Sequence, residues 1–125
     1  MKKIIRTPNA PAAGGPYSQA VEINGMLFIS GQVAIDPSTG RLIDGDISAQ
    51  VHRVMKNIEA VLQAAGYSLE EVVKSTVFLS KIADFKAMNE VYSQFYIENH
   101  PARSAFAVKD LPLGALVEIE TIAVK

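Results

Sequence analysis

Arg103 lies in the stretch His100-Pro101-Ala102-Arg103-Ser104-Ala105, where a proline-fixed turn delivers an arginine to a strand start among small neighbours that leave space beside it. A guanidinium presents parallel donors that match both oxygens of a carboxylate, a geometry lysine does not reproduce, so this position suits an acid substrate. The plainer alternative is a surface ion pair with Glu118 or Glu120. Those two carboxylates stand at i and i+2 of a strand and share a face with Leu116 and Ile122, which predicts that at least one is partly buried. Such a group either orders a water for attack or pairs with Arg103 or with a neighbouring subunit. Tyr17, just after Gly14-Gly15-Pro16, and Ser30-Gly31, at a strand end, are further candidates because polarity meets constrained backbone there. Each is otherwise an ordinary loop or strand-end residue.

Other chemistries lack their residues. The sequence contains no GxGxxG, Walker loop, HExxH or GxSxG. His52 falls in a helical stretch off its apolar stripe and reads as solvated, while His100 beside Pro101 reads as a group at the edge of a site. With no cysteine and two distant histidines, no metal site is expected, and disulfides and thiolate nucleophiles are excluded. Twelve Lys+Arg against 13 Asp+Glu give a formal net charge of -1, so no global field recruits polyanions and nucleic acid is not an expected partner. A chain of 125 residues, 49% hydrophobic and 20% charged, fits one domain spanning residues 1–125. Lys2-Lys3 and Ile4-Ile5 are followed at once by Arg6, Pro8, Asn9 and Pro11, and no run approaches the ~18 apolar residues of a membrane helix. A cytoplasmic, membrane-free protein is therefore expected.

The elements that must position these residues are legible from patterning. Lys2 to Thr7 predicts a short edge strand, followed by an irregular segment imposed by Pro8, Pro11, Gly14-Gly15 and Pro16. Ala20 to Ile23 and Met26 to Ser30 flank Asn24-Gly25, a type I′ hairpin signal, and Asp36 to Gly40 reads as another turn. Asp46 is a candidate N-cap for a helix with apolar positions at Ile47, Val51, Val54, Ile58, Val61, Leu62 and Ala65, stopped by Gly66. Ser68 to Glu71 matches a capping box, Val72 to Leu79 a buried strand, and Phe85 to Tyr96 a second helix with Phe85, Met88, Tyr92 and Phe95 along one face. Ser104 to Val108 and Leu116 to Val124 predict the last strands, with Leu111 to Gly114 as their turn. The result is an α+β domain. Neither face of the last strand is fully polar, so the sheet face opposite the helices should also be covered, most economically by further copies of the chain.

Asn9-Ala10-Pro11-Ala12, Gly15-Pro16-Tyr17-Ser18-Gln19-Ala20, Ser30-Gly31-Gln32, Lys74 to Leu79, Met88-Asn89, Pro101-Ala102-Arg103-Ser104 and Glu118-Ile119-Glu120 occur in one order along nearly the whole chain. In that order and spacing the sequence resembles the Rid (YjgF-type) family of reactive-intermediate deaminases. The resemblance implies a chorismate-mutase-like fold, a mixed sheet with two helices on one face, assembled as a homotrimer with ligand clefts between subunits. It implies cofactor-independent hydrolysis of enamine and imine acids, such as the 2-aminoacrylate released by pyridoxal-phosphate dehydratases, to 2-keto acids and ammonia. It further implies that Arg103 clamps the substrate carboxylate and that Tyr17, Ser30 and Gly31 shape the pocket, with Asn89 in support. Glu118 would position the attacking water together with the backbone carbonyl of Ala105, and Glu120 would be structural. Many members carry cysteine where this chain has Ala105, so thiol-dependent regulation is not expected here.

Two other functions remain on the sequence. An endoribonuclease activity is attached to some relatives, but the basic residues here are scattered and form no track. A non-catalytic module that senses small acids would use the same cleft and would bind 2-keto acids without turnover.

Overall fold

Asn24 and Gly25 adopt φ of 51° and 76°, the paired positive values a two-residue hairpin turn requires, and a Cβ at Gly25 would stand 2.8 Å from the Lys125 carbonyl oxygen. This turn joins β2 (Ala20–Ile23) to β3 (Met26–Gln32) in the expected hairpin. The structure, a computed structural model, describes residues 1–125. Ahead of the hairpin β1 (Lys3–Ile5) pairs antiparallel with β2. After it, the Asp36 to Gly40 turn closes a small separate ribbon of β4 (Ile35–Asp36) and β5 (Arg41–Leu42), which patterning did not announce because each strand is two residues long.

Helix α1 (Ile47–Ala64) starts where Asp46 accepts a hydrogen bond from the Ala49 amide at 3.0 Å, and Gly66, at φ 79°, follows its end. Its apolar stripe of Ile47, Val51, Val54, Ile58, Val61 and Leu62 is buried. Strand β6 (Val72–Leu79), helix α2 (Phe85–Phe95) and β7 (Ala102–Ala107) form a parallel crossover, and β8 (Val117–Val124) returns between β3 and β6. The six-stranded sheet runs β1-β2-β3-β8-β6-β7, antiparallel at every pair except β6 with β7. Two helices on a mixed sheet are the architecture the sequence predicted.

Alternation along β8 sorts the two sides. Val117, Ile119, Thr121 and Ala123 are buried beneath the helices, whereas Glu118, Glu120, Ile122 and Val124 point to the opposite face. That opposite face also carries Phe28, Phe78, Phe106 and Ile4, of which Phe28, Phe106 and Ile4 are exposed. The expected apolar second face is therefore present in a single chain. No helix is long and apolar enough to cross a membrane.

Candidate functional site

Strand β7 begins at Ala102, two residues earlier than patterning predicted, so Arg103 lies within the sheet instead of ahead of it. Its backbone is opposite Ser75 of β6, and Ser75 in turn is opposite Thr121 of β8. Partners in a ladder share a face, so the Arg103 side chain leaves on the helical side and meets α2. There Nη1 donates to Asn89 Oδ1 at 2.7 Å. The guanidinium carbon lies 4.9 Å from the ring centre of Tyr92 and 5.7 Å from that of Phe85. Within the chain the sole carboxylate in ion-pair range of a basic group is Glu59, 3.4 Å from Lys56. Arg103 thus has no acidic partner, and the surface ion pair with Glu118 or Glu120 does not form. Burial pushes the Tyr92 phenol above its ordinary value, so this neighbour is neutral at physiological pH. Ala105, two residues on, shares the Arg103 face, is opposite Val77 and is partly buried.

Glu118 belongs to the other face. It is opposite Phe78, which is opposite Phe106, and those two rings pack edge to face at 5.5 Å. A β-bulge in β3 brings Ser30 and Gly31 to the same place: Ile29 is opposite Thr121 and Gln32 opposite Ile119, which leaves Ser30 and Gly31 to span Glu120 alone. The consequence is close approach. A Cβ at Gly31 would overlap the Glu118 carboxylate, coming within 2.9 Å of Cδ. Only glycine admits that carboxylate where it stands. Partial burial, and secondarily the charge of Glu120, push the Glu118 carboxyl above its ordinary value of 4.5.

The irregular segment after β1 is organised by Gln19, which is buried. Its Oε1 accepts from the Thr7 amide at 2.7 Å, and its Nε2 donates to the carbonyls of Thr7, Ala10 and Pro11 at 3.0, 3.3 and 2.8 Å. Ser30 Oγ donates to the Ser18 carbonyl at 2.6 Å and so ties this loop to the bulge. Tyr17 is 55% exposed, and its only hydrogen bonds are local, with Oη accepting from the Gly14 amide at 3.3 Å and its amide donating to the Gly15 carbonyl.

One chain therefore brings the candidates together in two groups. Arg103, Asn89 and Ala105 are on the helical face at the β7 edge, and Glu118, Gly31 and Ser30 are on the opposite face with the Tyr17 loop beside them. Neither histidine joins either group: His52 packs on Phe95 with ring centres 5.6 Å apart, and His100 is exposed in the approach to β7. No cluster of three or more metal-ligating side chains occurs. Sequence reading placed Gln19 in a motif and Tyr92 on a helix face without giving either a part here: Gln19 organises the loop and Tyr92 lies beside Arg103. For Tyr92 a signal existed, since Phe85, Asn89 and Tyr92 are spaced i, i+4 and i+7 and so share a helix stripe.

Residues 7–125 match the family model described as Endoribonuclease L-PSP. A RutC family protein of Pyrococcus horikoshii is 52% identical over 125 residues, covering 100% of this chain and 99% of its own. The human 2-iminobutanoate/2-iminopropanoate deaminase is 43% identical over 125 residues, covering 100% of this chain and 91% of its own. Among solved structures, a conserved Rid-family protein, YyfA of Yersinia pestis, superposes with a TM-score of 0.98 at 47% identity and full coverage of both chains. By its sequence, its fold and its matched length, this chain belongs to the Rid (YjgF-type) family.

Proposed function

We propose that the protein hydrolyses small 2-imino acids and their enamine tautomers to 2-keto acids and ammonia, with Arg103 gripping the substrate carboxylate. The observation that carries this reading is a partly buried guanidinium held by an amide and two aromatic faces with no carboxylate in ion-pair range. A cation kept in place yet unneutralised is a receptor for an anion. The deaminase name carried by the human relative supports the same chemistry.

In the reaction, an enamine such as 2-aminoacrylate takes a proton from water at C3 and becomes the protonated imine. Water then adds to C2 as its proton passes to Glu118, forming a carbinolamine. Glu118 returns that proton to nitrogen, and the C–N bond breaks as the hydroxyl proton passes to water, releasing ammonia and the keto acid. An imine carbon is already electrophilic, so orientation of substrate and one water supplies most of what is needed. A carboxyl raised above its ordinary value is better matched to accept and return that proton near neutral pH. Tyr17 and Ser30 border the pocket, Asn89 orients Arg103, and the Ala105 carbonyl helps hold the water.

Arg103 and Glu118 leave opposite faces of one sheet, so both reach one substrate only if two copies share a cleft. We assign the active form as a homotrimer whose apolar sheet faces meet and whose clefts lie between subunits. Light scattering should give a mass about three times 13.5 kDa, and a monomer that retains full activity would contradict the shared cleft.

The decisive assay couples the protein to a serine or threonine dehydratase and follows loss of the enamine's ultraviolet absorbance. Decay faster than in buffer, with equimolar keto acid and ammonia, is expected. Binding of 2-keto acids with no acceleration would make the chain a sensor. Metal-independent RNA cleavage that disappears in Arg103→Ala would make it a nuclease, as the family description suggests.

Gly31→Ala tests the acidic group by geometry. Gly31 does not adopt a left-handed conformation, and the obstructed neighbour is the end of a flexible side chain, so the variant should fold with a melting temperature close to the parent's. Its added methyl displaces the Glu118 carboxylate. A misplacement on the ångström scale should reduce kcat by roughly tenfold or more, and unchanged kcat would remove Glu118 from the chemistry.

A further inference from the structure

The Arg103 guanidinium is seated on one stripe of α2, with Asn89 supplying an acceptor and Tyr92 the nearer of two aromatic rings. We propose that Tyr92 is a positioning residue, whose ring face fixes the Arg103 guanidinium while leaving its charge uncompensated for the substrate carboxylate. The proposal rests on the clamp reading given above and adds how the clamp is held.

A carboxylate in the seat would fix the guanidinium equally well, but its own charge would offset the one the substrate needs. An aromatic face attracts a cation through its quadrupole and leaves the net charge in place. The geometry fits that role, because a cation within about 6 Å of a ring centre is in the attractive range and Arg103 is 4.9 Å from Tyr92. Phe85 at 5.7 Å is farther and less buried, so it contributes less.

Tyr92 is itself well fixed. Its side chain is 5% exposed, and Tyr96 packs against it with ring centres 4.8 Å apart. Its hydroxyl is buried with Ser75 Oγ as a near neighbour, yet no hydrogen bond of good geometry joins them. The hydroxyl makes no hydrogen bond to Arg103 or Asn89, so the π face is the part of Tyr92 that meets the guanidinium. Filling the core requires only volume, which leucine also provides; seating a cation requires a ring.

The test separates shape from quadrupole. Tyr92→Phe and its mono-, di- and trifluorinated phenylalanine analogues keep the ring while stepwise removing the negative charge of its face. In the full-length protein, pyruvate affinity is measured by calorimetry, with thermal melting as the control for packing. Tyr92→Phe should bind pyruvate within about twofold of the parent, and each fluorine should weaken binding further, to about tenfold in total, with nearly constant melting temperature. Affinity that stays flat across the series overturns the proposal. Arg103→Lys is measured alongside. If it weakens pyruvate binding while the fluorine series is flat, Tyr92 positioning fails and the clamp survives; if it leaves pyruvate binding unchanged, the clamp fails and the proposal with it.

Discussion

Arg103→Lys should lose roughly 10- to 100-fold in kcat/KM toward dehydratase-generated imines, the range expected when a charged, bidentate hydrogen bond is replaced by a single point contact. Lysine keeps the charge but cannot donate to Asn89 and both substrate oxygens along fixed directions, and an ammonium gains little from a seat shaped for a planar group. The carboxylate is held in the ground state and the transition state alike, so most of the loss should appear as raised KM. Tilting of the imine carbon away from its water should add a smaller fall in kcat. Stability should change little, because Arg103 is only partly buried and forms no ion pair. Steady-state kinetics beside a melting curve measures both effects. An unchanged kcat/KM would end the carboxylate-clamp assignment.

Glu118→Gln should slow kcat by about 100-fold or more while keeping 2-keto acid affinity, since the amide fills the same space but cannot accept the proton of the attacking water. Stability should move the other way. The folded-state pKa of Glu118 is raised, so its ionised form opposes folding at pH values above that raised pKa, and the opposition disappears below the unfolded-state value. A neutral glutamine removes the opposition, and the variant should melt no lower than the parent at neutral pH. The proposed mechanism needs the carboxylate ionised, so the acid limb of the kcat profile should lie above 4.5 and vanish in Glu118→Gln. Glu120 contributes to the upward shift, so Glu120→Gln should move that limb to lower pH. A parent profile flat to pH 4.5 would contradict the proton-accepting role.

Elements whose signals are local were legible in the sequence. The Asn24-Gly25 turn, the Asp46 cap and the α1 stripe each depend on residues within a few positions of one another, and each formed as expected. The two faces of β8 were also correctly separated, because alternation is a local property. Features created by pairing between distant strands were not visible. The bulge at Ser30-Gly31 exists only relative to β8, so the sequence marked those residues without indicating that they surround Glu118. Arg103 was singled out by its residue type and its small neighbours, but its face depends on its register with Ser75, and the candidate pairing with Glu118 or Glu120 could be rejected only once that register was known. Tyr92 was read as core, and it is buried; that one side of its ring meets a cation depends on where β7 docks.

The β6-α2-β7 crossover has a bearing on how such proteins diverge. Every neighbour that orients the guanidinium belongs to one unbroken stretch, residues 72–107, whereas the acidic group is assembled from two strands far apart in the chain. In the proposed shared cleft, substitutions elsewhere that change how subunits lean together would widen or narrow the gap between the two halves without disturbing the cationic one. On the proposed reading, a change in subunit packing would therefore alter the preference for longer or shorter imines while leaving the seat for the acid end unchanged.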